Sequence, residues 1–311
     1  MGLSRTRPVG ALSRETGAVQ TLAEAVGERV VVLDGGMATE LEARGHDLSS
    51  ALWSARLLAD DPTAIGDVHR AYFAAGAEVA TTASYQASIE GFTARGLDGP
   101  AMLRRSVALA VTARDEHGAG WVAASIGPYG AVLADGSEYR GDYGLSVAEL
   151  RRFHRPRMEI LADTGADVLA VETIPCLAEV EAVLAELTEI GMPAWLSVTC
   201  AGDRTRAGEP LAEGFAMARD CAPVFAVGVN CCAPRDVAPA VALATACSGK
   251  PAVAYPNSGE GWDSAARGWA GDAAFAPADV SDWVEGGARL VGGCCRVGPQ
   301  QVEALAAAVL L

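Results

Sequence analysis

The sequence predicts an α/β fold, a single (β/α)8 TIM-type barrel, and three observations carry that prediction. Eight short runs of β-type apolar residues alternate with eight segments of helical periodicity. Almost every apolar run ends in Gly, Asp, Thr, Ser, Glu, Asn or Cys, the residue types that carry chemistry at the carboxyl ends of barrel strands. The 311 residues contain no internal repeat or low-complexity linker, and such a barrel reaches this length as one unit.

Strands are expected at 30–33, 78–82, 121–126, 168–172, 194–199, 225–229, 252–255 and 289–291. Helices are expected at 61–76, 102–117, 146–164, 177–191, 211–220, 234–247, 277–287 and 299–310. The first strand ends at Asp34-Gly35-Gly36, the second at Thr81-Thr82, the third at Gly127-Pro128-Tyr129 and the fourth at Glu172-Thr173. Asn230-Cys231 ends the sixth, Tyr255-Pro256-Asn257 the seventh and Gly293-Cys294-Cys295 the eighth. The Gly/Ser/Asp-rich stretch 257–271 reads as one long loop able to act as a lid. Residues 1–28 read as an N-terminal arm and leading helix, with a basic bias at Arg5, Arg7 and Arg14, and 29–311 as the barrel domain.

Half of the residues are hydrophobic, few are aromatic and many are Ala or Gly, so a large core of small side chains is available. A formal net charge of −15 argues against a nucleic-acid partner, because phosphate binding needs clustered Lys and Arg. The longest uncharged stretch, 118–134, is interrupted by Gly127-Pro128 and is too short to span a bilayer, so no membrane segment is expected. Eight cysteines without a secretory leader suit a reducing, cytoplasmic setting in which thiols stay available for metal instead of pairing. No heptad stretch or dimerisation arm is evident, and a monomer is the expectation.

Gly228-Val229-Asn230-Cys231-Cys232 and Gly292-Gly293-Cys294-Cys295-Arg296 each stand where an apolar run ends, and together they hold half of the cysteines. Side chains from alternate strands share a layer inside a barrel, so Cys231 on the sixth strand can meet Cys294 and Cys295 on the eighth. Three sulfurs would hold Zn²⁺ at ~2.3 Å per bond and leave a fourth tetrahedral position open, as catalytic zinc does. Neighbouring residues on a regular strand point to opposite faces, so both Cys294 and Cys295 reach one metal only if the chain bends, and Gly292 and Gly293 are expected to permit that bend. The alternative is four inert buried thiols. Cys176, Cys200, Cys221 and Cys247 read as packing thiols, and His46, His69, His117 and His154 lie away from the strand ends. Tyr129, Tyr139, Tyr143 and Trp262 are candidates for an aromatic wall facing a cation.

These motifs, with Asp34-Gly35-Gly36-Met37-Ala38-Thr39-Glu40-Leu41 ahead of them, resemble the zinc-dependent homocysteine S-methyltransferase family from about residue 31 to 310. The segments 80–86, 125–130, 134–139 and 255–260 look like the branch that uses S-methylmethionine. The resemblance implies Zn²⁺ on Cys231, Cys294 and Cys295, and places the amino-acid end of homocysteine against Asp34, Gly35, Thr82 and Glu172. Cys232 departs from the family pattern and is either a thiol facing away from the metal or a competing ligand. Asp34 has the further possibility of only shaping its turn.

The implied reaction moves a methyl group from S-methylmethionine, or S-adenosylmethionine, to homocysteine, giving methionine. It needs no catalytic side chain beyond the zinc-activated substrate thiolate. Two alternatives stand beside it: another thiol or selenol acceptor such as selenocysteine, and a homocysteine-binding zinc module served in trans by a corrinoid or folate partner.

Overall fold

In the computed structural model, which describes residues 20–48, 54–263 and 268–309, each of the eight apolar runs becomes a strand. These are β1 (Val31–Val32), β2 (Val79–Thr81), β3 (Trp121–Ile126), β4 (Val168–Ile174), β5 (Ala194–Val198), β6 (Val224–Asn230), β7 (Ala252–Tyr255) and β8 (Ala288–Val291). They pair in parallel in chain order, β8 returns to β1 in a register that sets Leu290 beside Val31, and a bridge between Leu33 and Val79 closes the ring.

Strands covered on both faces read as unbroken apolar runs instead of alternating ones, and all seven residues of β4 are buried. Their period of two still sorts the side chains. Leu169 and Val171 of β4 point outward into the layer under the helices, with Leu103, Val183 and Leu187. Val168 and Ala170 point inward, into a second cluster with Val31, Val79, Ala123, Ala226, Val253 and Leu290. That interior is built mostly of aliphatic residues around Trp195, which is fully buried and donates its indole N–H to the Tyr255 hydroxyl at 2.9 Å.

Ahead of β1, the helix Leu22–Glu28 is started by a capping box between Thr21 and Glu24. It adds Leu22, Ala25 and Val26 to the inner cluster. It lies by the amino ends of the strands, where Trp121 at the start of β3 donates to the Gln20 carbonyl at 3.1 Å. Burying Leu22 alone is worth roughly 2 kcal/mol.

The eight expected helices form with shifted ends. Pro62–Ala74 starts on the Asp61 side chain and Gly99–His117 on that of Asp98, so the second begins three residues before the expected 102. The segment expected at 277–287 divides into a 3-10 turn, Pro277–Asp279, and a short helix, Val280–Glu285. Short helices missing from the sequence reading fill the connections: Met37–Ala43, Ser54–Asp60, Ile89–Thr93 and Tyr129–Leu133, followed by a 3-10 turn at Ser137–Tyr139. Five to seven residues are too few to display a helical period. The expected long loop after β7 instead carries an antiparallel ribbon, Gly261–Asp263 with Gly268–Ala270, whose register sets Trp262 opposite Trp269. Composition rich in Gly and Ser hid the alternation there. The basic arm at Arg5, Arg7 and Arg14 and residues 264–267 lie outside the described residues, as does the side chain of Trp262.

Candidate metal centre

Cys231 follows directly on β6, and Cys294 and Cys295 follow β8 by two glycines. The three sulfurs lie within 4.8 Å of one another at the carboxyl end of the barrel. The backbone on either side is locked in place. Asn230 accepts from the Thr173 N–H and from the Ser197 hydroxyl, each at 2.7 Å, and donates to the Thr173 hydroxyl, also at 2.7 Å. One buried amide thus ties β6 to β4 and β5 immediately before the first cysteine. Cys231 (φ 48°), Thr173 (φ 60°) and Arg296 (φ 63°) all stand in the left-handed region that non-glycine residues avoid, and all three flank the site.

The segment after β7 braces both cysteine loops. Cys231 N–H donates to Tyr255 O at 3.2 Å, Cys294 N–H to Pro256 O at 2.7 Å and Cys295 N–H to Asn257 Oδ1 at 3.1 Å. Gly292 and Gly293 are not among the residues with positive φ, so the turn that brings Cys294 and Cys295 to one side uses no left-handed glycine there. They are needed for clearance. A Cβ on Gly292 would meet the Leu33 side chain, and one on Gly293 the Val297 side chain.

The three thiols are gathered at one point, and the Cys231 and Cys294 sulfurs meet in direct contact. Their Cα atoms stand 5.6 Å apart, which is the span of a disulfide, so the closeness that suits one cation also suits a covalent bond. Metal binding by all three sulfurs therefore requires the reduced pair. Cys295 keeps its thiol, against which the Tyr139 hydroxyl bonds, while burial pushes its pKa up to about 11. Cys232 is fully buried against Cys200 and is not one of the converging three, which makes it the spare thiol. Cys176, Cys200 and Cys221 are buried and Cys247 half-buried. His69 and His154 are buried away from the cavity.

All four residues expected at the substrate line one cavity with the three cysteines. Asp34 Oδ2 accepts from Thr81 N–H at 2.7 Å. Burial pushes its carboxyl up to about 8, with the nearby charge of Glu172 adding to the rise. Glu172 accepts from the Ser125 hydroxyl and from that of Tyr255, yet burial still raises it to about 7. Two buried carboxylates that form no ion pair among the described residues, with the charge of Glu172 adding to the rise at Asp34, make a candidate receptor for positive charge. Thr82 contributes less, because its hydroxyl is engaged by Ser84 at 2.7 Å and by the Ser125 N–H at 3.0 Å. In the glycine turn, the Gly36 N–H is occupied by Val297 O at 2.9 Å. Tyr72 pins the same turn by donating to Gly36 O at 2.9 Å.

Ser125 and Tyr255, which aim Glu172, went unassigned in the sequence because they come from other strands and only barrel closure brings them together. Glu138 also lines the cavity and was seen only as part of a motif. Of the expected aromatic wall, Tyr139 faces the cavity. Tyr129 and Tyr143 pack edge to face at 5.3 Å, with Phe153 against Tyr129 at 5.0 Å.

Comparison with known proteins decides the family, since the homocysteine S-methyltransferase pattern matches residues 31–309. The chain belongs to that family. It is 44% identical over 298 residues to a homocysteine S-methyltransferase of Bacillus subtilis, covering 89% of this chain and 94% of that one. The crystal structure of the homocysteine methyltransferase MmuM from Escherichia coli in its metallated form superposes with a TM-score of 0.81 at 43% identity, covering 90% of this chain and 96% of that one. A selenocysteine methyltransferase of Astragalus bisulcatus is 40% identical over 309 residues, 89% of this chain and 91% of that one. Family membership makes this chain a methyltransferase.

Proposed function

We propose that this protein transfers a methyl group from S-methylmethionine, or S-adenosylmethionine, to the thiol of homocysteine, with Zn²⁺ held by Cys231, Cys294 and Cys295. The observation that carries this is the meeting of three sulfurs with the Asp34–Glu172 pair in one cavity. Three convergent thiols are a donor set that soft-ligand metals such as zinc favour, and three protein ligands leave a position for substrate. When bound, zinc supplies an acceptor thiol already deprotonated at neutral pH.

The chain's own groups do the rest. Glu172, aimed by Ser125 and Tyr255, and Asp34 receive the homocysteine ammonium, which offsets the burial of both carboxylates. The acceptor sulfur takes the methyl carbon as the donor's C–S bond breaks. That electron pair stays on the departing sulfur, so thiolate and sulfonium become two neutral thioethers. Charge disappears along this path, which favours a cavity shielded from water. No proton is moved by the protein, in keeping with a cavity lining that contains no histidine among the described residues. The need to keep three thiols reduced supports a cytoplasmic setting; a monomer completes the proposal. Among the described residues, no helix is long and apolar enough to cross a membrane.

The test is methionine formation by purified protein from homocysteine and S-methylmethionine, without added corrinoid or folate, with zinc retained, chelated and restored. Turnover that follows zinc is the expected result. An intact, zinc-loaded protein that makes no methionine overturns the donor–acceptor pair. The relative that methylates selenocysteine favours a second acceptor, so the same assay with selenocysteine measures how far the acceptor site discriminates.

A further inference from the structure

Glu138 is a third carboxylate in the cavity that the acceptor does not use. It sits in the 3-10 turn Ser137–Tyr139, is only 7% exposed, and lines the cavity with Asp34, Glu172 and the cysteines. Its Oε2 is buried and has no hydrogen-bond partner among the described residues. A buried carboxylate oxygen without a donor is unfavourable, so it calls for a partner that the chain does not supply among the described residues. Gly130 packs so tightly on the Ser137–Glu138 backbone that a Cβ would collide with it. The next residue, Tyr139, bonds the Cys295 sulfur, so the carboxylate stands one residue from a group that touches the metal trio.

The charges carried by the two substrates give this oxygen a partner. Homocysteine brings one cation, its ammonium, for which Asp34 and Glu172 suffice. A sulfonium amino acid brings two more, and the donor must stand close enough to the trio for its methyl to reach the acceptor sulfur. We infer that Glu138 is the counter-ion of the methyl donor, receiving its positive charge at Oε2 beside the Tyr139 ring. This rests on the proposed methyl transfer from a sulfonium. A carboxylate here also separates donor from product, because transfer turns the sulfonium into a neutral thioether that the carboxylate no longer holds.

Steady-state kinetics of wild type, Glu138→Gln and Glu138→Asp, varying each substrate separately, test it on the zinc-loaded full chain. The expected result for Glu138→Gln is a KM for S-methylmethionine raised about tenfold or more, as for loss of a charge-assisted contact. The KM for homocysteine and the zinc content stay at wild-type values. Glu138→Asp, which keeps the charge, recovers part of the loss. Inhibition by methionine, measured in competition with the donor, identifies which cation is held. Weakening of S-methylmethionine alone assigns the sulfonium, and equal weakening of both assigns the ammonium. A donor KM that does not move, or one that rises together with the homocysteine KM and loss of zinc, overturns the inference. A wild type inactive with every sulfonium overturns the proposed function instead. In that case calorimetric binding of S-methylmethionine to wild type and Glu138→Gln still reads the contact.

Discussion

Glu172 is a carboxylate that the fold holds near half-protonation at neutral pH, and the sign of its effect on stability follows from that. Burial raises it from an ordinary 4.5 to about 7, so the folded chain binds the proton more tightly than the unfolded chain. Its contribution is fully present below about pH 4.5 and is lost as pH rises through about 7, an effect on the order of 3 kcal/mol. Asp34, raised from 3.8 to about 8, acts in the same direction. Substrate-free protein is therefore expected to lose melting temperature between pH 5 and pH 8.5, and Glu172→Gln to lose less of it. Thermal melts of the two proteins across that range check the difference, and identical slopes would remove Glu172 as a source. The cysteines divide in the same residue-by-residue way. Cys231→Ala is expected to abolish zinc binding and turnover, whereas Cys232→Ala, whose thiol faces Cys200, keeps both. Metal content by mass spectrometry, read beside activity, separates the two roles.

Among the elements, the connections carry more information than the strands. Asn230 strings β4, β5 and β6 together through three buried hydrogen bonds directly before Cys231. Asn230→Ala is expected to cost about 3 kcal/mol and to weaken zinc binding with it. Denaturant unfolding and a zinc competition assay measure the two losses, and wild-type zinc affinity in a destabilised variant would show that the strap does not position the cysteine. The strands were legible in the sequence because buried parallel strands are continuous apolar runs, and the strand-end chemistry of Asp34, Glu172 and the three cysteines was legible with them. Three things were not. The five- to seven-residue helices have too few turns to show a period. The clearance role of Gly292 and Gly293 depends on Leu33 and Val297, which pattern reading does not bring near. Ser125, Tyr255 and Asn257 stood out only as parts of strand-end motifs, because their partners lie across strand gaps that exist only after closure.

For the whole molecule, the decisive variable is the oxidation state of one pair. If Cys231 and Cys294 are oxidised to a disulfide, six of the eight cysteines remain as thiols and the trio cannot offer three thiolates to a cation. Chelator-stripped, oxidised protein is expected to take up no zinc until a dithiol reductant is added. A thiol titration under denaturing conditions should rise from six to eight on reduction. Zinc uptake at full stoichiometry by the oxidised form would exclude the trio as the binding site. The ring closure described above has one more consequence, for the order in which the molecule is made. β1 is paired by β8 on one side, and the last two cysteines follow β8. During synthesis the chain must wait for its eighth strand before either the seam or the trio exists. Until the eighth strand has been made, Cys231 stands without Cys294 and Cys295, the two partners that a three-sulfur site needs.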